Sequence, residues 1–118
     1  MVDFACKTVE LDEVVKCSLN LTRADLRVLK YLLDCDKEYL TADLLSKSLG
    51  FDLSTIQKSV KKLHERGVVT RSQNNLDSGG YVFVYKIKPK NDIKETIMLS
   101  VTAWVELLEE ELGKWASK

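Results

Sequence analysis

Ser54, Thr55, Gln57, Lys58, Lys61 and Lys62 stand close together near the middle of the chain. Short hydroxyls and a carboxamide can exchange hydrogen bonds with base edges, and ammonium groups can neutralise phosphates. The chemistry on offer is reversible recognition of a polyanion, not bond making. Wound at ~100° per residue, the stretch from Phe51 to Arg71 gathers Ile56, Val60 and Leu63 on one side of a helix. Ser54, Lys58, Lys61 and Lys62 then point roughly the opposite way. A rod with a dry back and a cationic front can enter a DNA major groove. An ordinary amphipathic helix with a solvated face would carry the same pattern, so the neighbouring elements decide between the two.

Charge is distributed in a way that favours the first alternative. Over 118 residues there are 18 basic and 18 acidic side chains, a formal net charge of zero. Residues 1–52 hold seven Lys/Arg against ten Asp/Glu, net −3. Residues 53–90 hold eight against two, net +6, and residues 91–118 hold three against six, net −3. A cationic island between acidic flanks is the footprint of phosphate binding.

Other classes of function find little material. Cys6, Cys17 and Cys35 are an odd, widely spaced set with no CxxC, which is no disulfide framework. With His64 as the only histidine, no known zinc spacing is available. Buried free thiols in a reducing cytoplasm are the expectation. There is no glycine-rich phosphate loop and no nucleophile elbow, so neither an enzyme nor a cofactor is expected. No apolar run approaches ~18 residues and no secretory leader is visible. A soluble cytoplasmic protein without membrane contact is therefore expected.

The elements that would hold these side chains follow from caps and periodicity. Residues 1–9 look frayed or extended, and residues 10–19 form a short helix with an acidic first turn. Thr22 and Asp25 match a capping box for a helix running to about Leu33. Its inward residues are Leu26, Leu29, Leu33 and either Tyr31 or Leu32. Thr41 caps a third helix, residues 42–49, with Leu44, Leu45 and Leu49 inside and Gly50 as its left-handed terminus. Asp52 then caps the helix over about 53–66, which Gly67 stops. Helix, glycine turn and helix are the parts of a helix-turn-helix. Strands at 68–71 and 81–88 around a polar loop, residues 72–80, make a hairpin, and Pro89 ends it.

After Asn91 or Asp92 as cap, a last helix over about 92–115 is long for a domain of this size. Ile93, Ile97, Val101, Trp104, Leu108, Leu112 and Trp115 recur at three or four residues along it. At ~1.5 Å per residue it exceeds 30 Å, more than a three-helix core covers. Pairing with the same helix of a second chain is therefore favoured over folding back within the monomer. The fold class is mostly α with a small β-hairpin wing, α+β: a winged helix-turn-helix over residues 1–90 and a dimerisation helix over 91–118 in one unit.

This order of elements resembles archaeal and bacterial winged-helix transcription regulators, nearest to TrmB-like and MarR-like DNA-binding domains. The matching residues are Leu21 to Leu33, Leu40 to Gly50, Ser54-Thr55-Ile56, Leu63 to Arg71 and Gly80 to Pro89. The resemblance implies sequence-specific binding of double-stranded DNA by a homodimer. Ser54, Thr55 and Lys58 match recognition-helix positions, and Arg71 matches the basic residue at the base of the wing. From the residues themselves, Lys61 and Lys62 join Lys58 on phosphates, Gln57 flanks the base-reading set, and Lys86 and Lys88 stand with Arg71 as a backbone clamp. Leu53 departs from the resemblance, standing where a polar residue is common. So does the wing tip, which carries Asp77 and no Lys or Arg. A small effector between the long helices and the winged domain is compatible with this layout, and no residue identifies one. The competing reading is a winged helix used for protein contacts in a transcription or assembly complex. The cationic residues of 53–90 speak against it.

Overall fold

In the computed structural model, which describes residues 1–118, caps and turns start the helices much where their residue types place them. The first nine residues are extended and paired: β1 (Val2–Phe4) lies antiparallel to β2 (Lys7–Val9). α1 (Leu11–Ser18) follows. α2 (Arg23–Asp34) opens on a complete capping box. The Asp25 N–H donates to Thr22 Oγ1 at 3.1 Å, and the Thr22 N–H donates to Asp25 Oδ2 at 2.9 Å. Such a cap contributes about 1 kcal/mol. Val28, Leu29 and Leu32 carry the core face of α2, while Leu26, Tyr31 and Leu33 are only half-buried.

α3 (Ala42–Leu49) is capped by Thr41, whose hydroxyl accepts from the Leu44 N–H at 3.2 Å, and ends on Gly50 at φ 71°. Leu45 is buried and Leu49 half-buried, but Leu44, expected inside, is 48% exposed. Two turns of helix offer the core only a narrow stripe, and Leu44 lies ~100° from its centre at Leu45. α4 (Leu53–Glu65) begins beside Asp52, whose carboxylate makes no capping hydrogen bond, against expectation.

β3 (Val69–Asn75) and β4 (Tyr81–Ile87) pair antiparallel in a register running from Val69↔Ile87 to Asn75↔Tyr81. The first strand extends four residues past the expected Arg71. Ser72 to Asn75 have weak strand preference, but each gains a ladder partner on β4, among them Phe83 and Tyr81. The loop shrinks to the segment between Asn75 and Tyr81, closed by the Leu76 N–H donating to the Gly80 carbonyl at 3.0 Å. Leu40 bridges to the free edge of β4 through two 2.8 Å bonds with Tyr85.

α5 (Lys90–Ala116) starts two residues before the expected Asp92, with Pro89 as its cap residue and Asn91 and Asp92 in its first turn. Proline at φ −53° hands the chain directly into helical geometry. Ile93 is buried, Ile97 and Val101 are half-buried, and Ser100 Oγ donates to the Ser18 carbonyl at 2.7 Å. Beyond Val101 the helix leaves its own domain, and the molecule measures 67 × 25 × 24 Å. The shared core joins Leu29 and Leu32 of α2, Leu45 of α3, Ile56, Val60 and Leu63 of α4, Val68 and Val69, and Ile87 of β4. Cys6 and Cys17 are exposed and Cys35 half-buried, not the buried thiols expected. Cys6 falls between two short surface strands, and Cys17 on the outer side of α1. No helix is long and apolar enough to cross a membrane.

Candidate nucleic-acid interface

Helix α4 is clamped by its back. Ile56, Val60 and Leu63 have no exposed surface, and burying each such side chain contributes roughly 1.5–3 kcal/mol as an upper estimate. Ser54, Gln57, Lys58 and Lys61 are exposed, and Thr55 is half-buried on the flank. The helix thus presents two hydroxyls, one carboxamide and two ammonium groups from a fixed axis.

Lys62 does not join them. Its Nζ lies 3.1 Å from Asp25 Oδ2, and its side chain is 32% exposed. Six residues from Ile56, it stands ~120° round the helix from the core line, on the side turned to α2. A buried carboxylate needs a counter-charge and donors, and Asp25, at 4% exposure, takes both from α4. Ser59 Oγ donates to its Oδ1 at 2.6 Å. Burial on its own would raise the pKa of Asp25. Hydrogen bonds from Ser59, from the Thr22 N–H and from Lys62 outweigh it and hold the carboxyl below its ordinary value. Asp25 and Ser59 therefore position α4 from beneath, although their sequence marks them only faintly. The signal was a serine inside the apolar stripe of α4, spaced three from Ile56 and four from Leu63.

The junction after α4 is fastened by His64, half-buried, with Nδ1 3.2 Å from the Val69 carbonyl. In the wing, Arg71 pairs with Tyr85 and its guanidinium lies 4.5 Å from the Phe83 ring centroid. Phe83 in turn meets Tyr81 edge-on, centroids 5.3 Å apart. Strand alternation puts Arg71, Phe83 and Tyr81 on one face, and Gln57 and Leu53 of α4 line a small groove with Tyr81 and Phe83. Lys86 and Lys88 fall on the other face, where the Lys86 ammonium sits 5.1 Å from the Tyr39 ring centroid. The structure therefore brings Arg71 to α4 and separates Lys86 and Lys88 from it. At the wing tip Leu76 is 47% exposed and no cation is near in sequence.

Of the apolar stripe on the last helix, only Ile93 is buried within the protomer. Trp104, Leu108, Leu112 and Trp115 are between 40% and 75% exposed.

Two helices joined through a left-handed glycine, a two-stranded wing and a long trailing helix define a winged helix-turn-helix protein. Within that class the chain belongs to the family of the DnaD N-terminal domain, whose model matches residues 9–107. It is similar to the solved structure of a possible transcriptional regulator from Methanosarcina mazei Go1, with 51% identity and a TM-score of 0.90 over 98% of this chain and 96% of that one. It is 32% identical over 93 residues to the HTH-type transcriptional regulator SarT of Staphylococcus aureus, covering 76% of this chain and 78% of SarT. It is also 26% identical over 113 residues to the uncharacterized protein MJ1503 of Methanocaldococcus jannaschii, covering 96% of this chain and 81% of that one. The resemblance to winged-helix regulators seen in the sequence holds.

Proposed function

We propose that this chain is a sequence-specific transcriptional regulator that binds double-stranded DNA as a homodimer. Helix α4 of each protomer enters a major groove, and the two protomers address half-sites about one helical turn apart. Ser54, Thr55 and Gln57 read base edges, Gln57 from the flank, while Lys58 and Lys61 neutralise phosphates. Arg71, held against Phe83, grips the backbone beside α4. Lys86 and Lys88 add to the positive field that draws DNA in. The protruding stripe of α5 pairs with its copy in the second protomer.

The observation that carries this reading is the exposed hydroxyl and ammonium face of α4, backed by three fully buried side chains. The regulator names of SarT and of the Methanosarcina mazei protein support it. Selection of bound duplexes from a random pool tests specificity and symmetry together, with a two-fold symmetric site as the expected yield. Lys58→Ala with Lys61→Ala removes two lysines from each protomer and should lower the salt slope of binding by the dimer by about 4. Unchanged affinity and slope in an anisotropy titration would rule out the role given to α4. Heparin retention without any duplex preference would favour the protein-contact reading instead.

A further inference from the structure

The outer face of the wing meets the start of α5 in a groove of about 420 Å³. Lys86, Lys88 and Lys90 line it, with Thr70, Tyr39 and a single carboxylate, Asp36, at the rim. Lys86 and Lys88 are half-buried. The Tyr39 ring, with its centroid 5.1 Å from the Lys86 Nζ, fixes where that ammonium stands. Three ammonium groups lining one recess, against a single carboxylate, give it a positive potential that suits an anion. Two further donors lie close by. Pro89 accepts from the Asp92 and Ile93 N–H groups, which leaves those of Lys90 and Asn91 without a backbone acceptor at the positive end of a 27-residue helix.

From this convergence we propose that the groove is a binding site for a phosphate group, set at the joint between the winged domain and α5. Lys86, Lys88 and Lys90 supply the charge, and the first turn of α5 supplies N–H donors. Two sources share this chemistry: a free phosphorylated small molecule, or the backbone of flanking DNA. The face on which the groove lies favours the free molecule, because alternation along β4 turns it away from Arg71 and Gln57. A ligand there would touch both sides of Pro89, the residue through which α5 sets the distance between two α4 helices. The regulatory consequence rests on the DNA-binding reading above; the anion site itself does not.

The test is calorimetric titration of the full chain with inorganic pyrophosphate at low ionic strength, with sodium chloride of matched ionic strength as control. Saturable binding at one site per chain is expected. Lys86→Gln with Lys88→Gln and Lys90→Gln should weaken it at least about tenfold, while Lys58→Gln with Lys61→Gln leaves it unchanged. Circular dichroism confirms that both variants fold, since all five side chains lie at the surface or half-buried. No saturable heat, or equal weakening in both variants, overturns the site. A silent pyrophosphate titration combined with a flatter salt slope for DNA in the first variant assigns the three lysines to flanking DNA, and the free-ligand site is overturned. Saturable pyrophosphate binding by a chain that shows no DNA affinity upholds the site and removes only the regulatory consequence.

Discussion

Ser59 donates a 2.6 Å hydrogen bond to Asp25 across 34 positions of sequence, and the pair ties α2 to α4, the second helix of the helix-turn-helix. The same carboxylate caps α2 and neutralises Lys62. One buried acid thus sets where α2 starts and how α4 lies upon it. Replacing Asp25 by Asn should cost about 2 kcal/mol, because the donors of Ser59, Thr22 and Lys62 lose a charged acceptor together. Urea denaturation of both forms measures it.

The pH dependence of that cost has a definite sign. The folded pKa of Asp25 lies below the unfolded value, about 3.9. Its stabilisation is therefore present in full above that value and is lost as pH falls through the folded one. The difference in stability between the wild type and Asp25→Asn should be constant from pH 7 to 5 and shrink below about pH 4. A difference that closes instead near neutrality would place the effect on another group.

Lys58 and Lys62 should behave as opposites although four residues apart on one helix. Lys62→Ala leaves Asp25 with one donor fewer and should cost roughly 1–2 kcal/mol of stability, less than a fully buried pair because Lys62 is partly solvated. Its effect on the salt slope of DNA binding should be negligible. Lys58→Ala should leave stability unchanged and reduce that slope by about 2, one lysine from each protomer. Paired thermal melts and anisotropy titrations separate the two roles.

Gly50 occupies the left-handed region at φ 71°, and a Cβ there would touch nothing. Any penalty for Gly50→Ala is therefore one of backbone conformation, about 1–2 kcal/mol. The melting temperature should fall by a few degrees with the helical content intact. A neutral substitution would mean that the turn between α3 and α4 relaxes without strain.

Trp104 and Leu108, 58% and 40% exposed in one protomer, should be covered in the dimer. Trp104→Glu with Leu108→Glu is expected to give a folded monomer by light scattering. Dilution of the wild type should shift tryptophan emission to the red, since Trp104 and Trp115 pass into water together. An unchanged dimer mass in the variant would move the interface away from α5.

What could be read from the sequence was whatever is decided locally. Thr22 with Asp25, Thr41 and Gly50 announce helix ends by chemistry within a few residues, and each sits where it was expected. The winged helix-turn-helix order follows from caps, turns and periodicity together, and the dry line Ile56, Val60 and Leu63 from periodicity alone. What depended on distant partners was hidden. Lys62 looked like a front residue because nothing nearby marks Asp25 as buried. β3 looked short because its polar residues are held by β4 and not by their own preference. Lys86 and Lys88 looked like companions of Arg71 until the register placed them on the opposite side of the sheet.

The separation of charge along the molecule has a kinetic meaning. Glu106, Glu109, Glu110 and Glu111 ride on the part of α5 that projects beyond the domain, while the winged body, residues 1–90, carries a net +3. Charge of opposite sign is thus separated along a formally neutral protein 67 Å long. Near a polyanion this separation should turn the winged end forward before contact is made. Its capture rate should then depend on ionic strength far more than its zero net charge suggests.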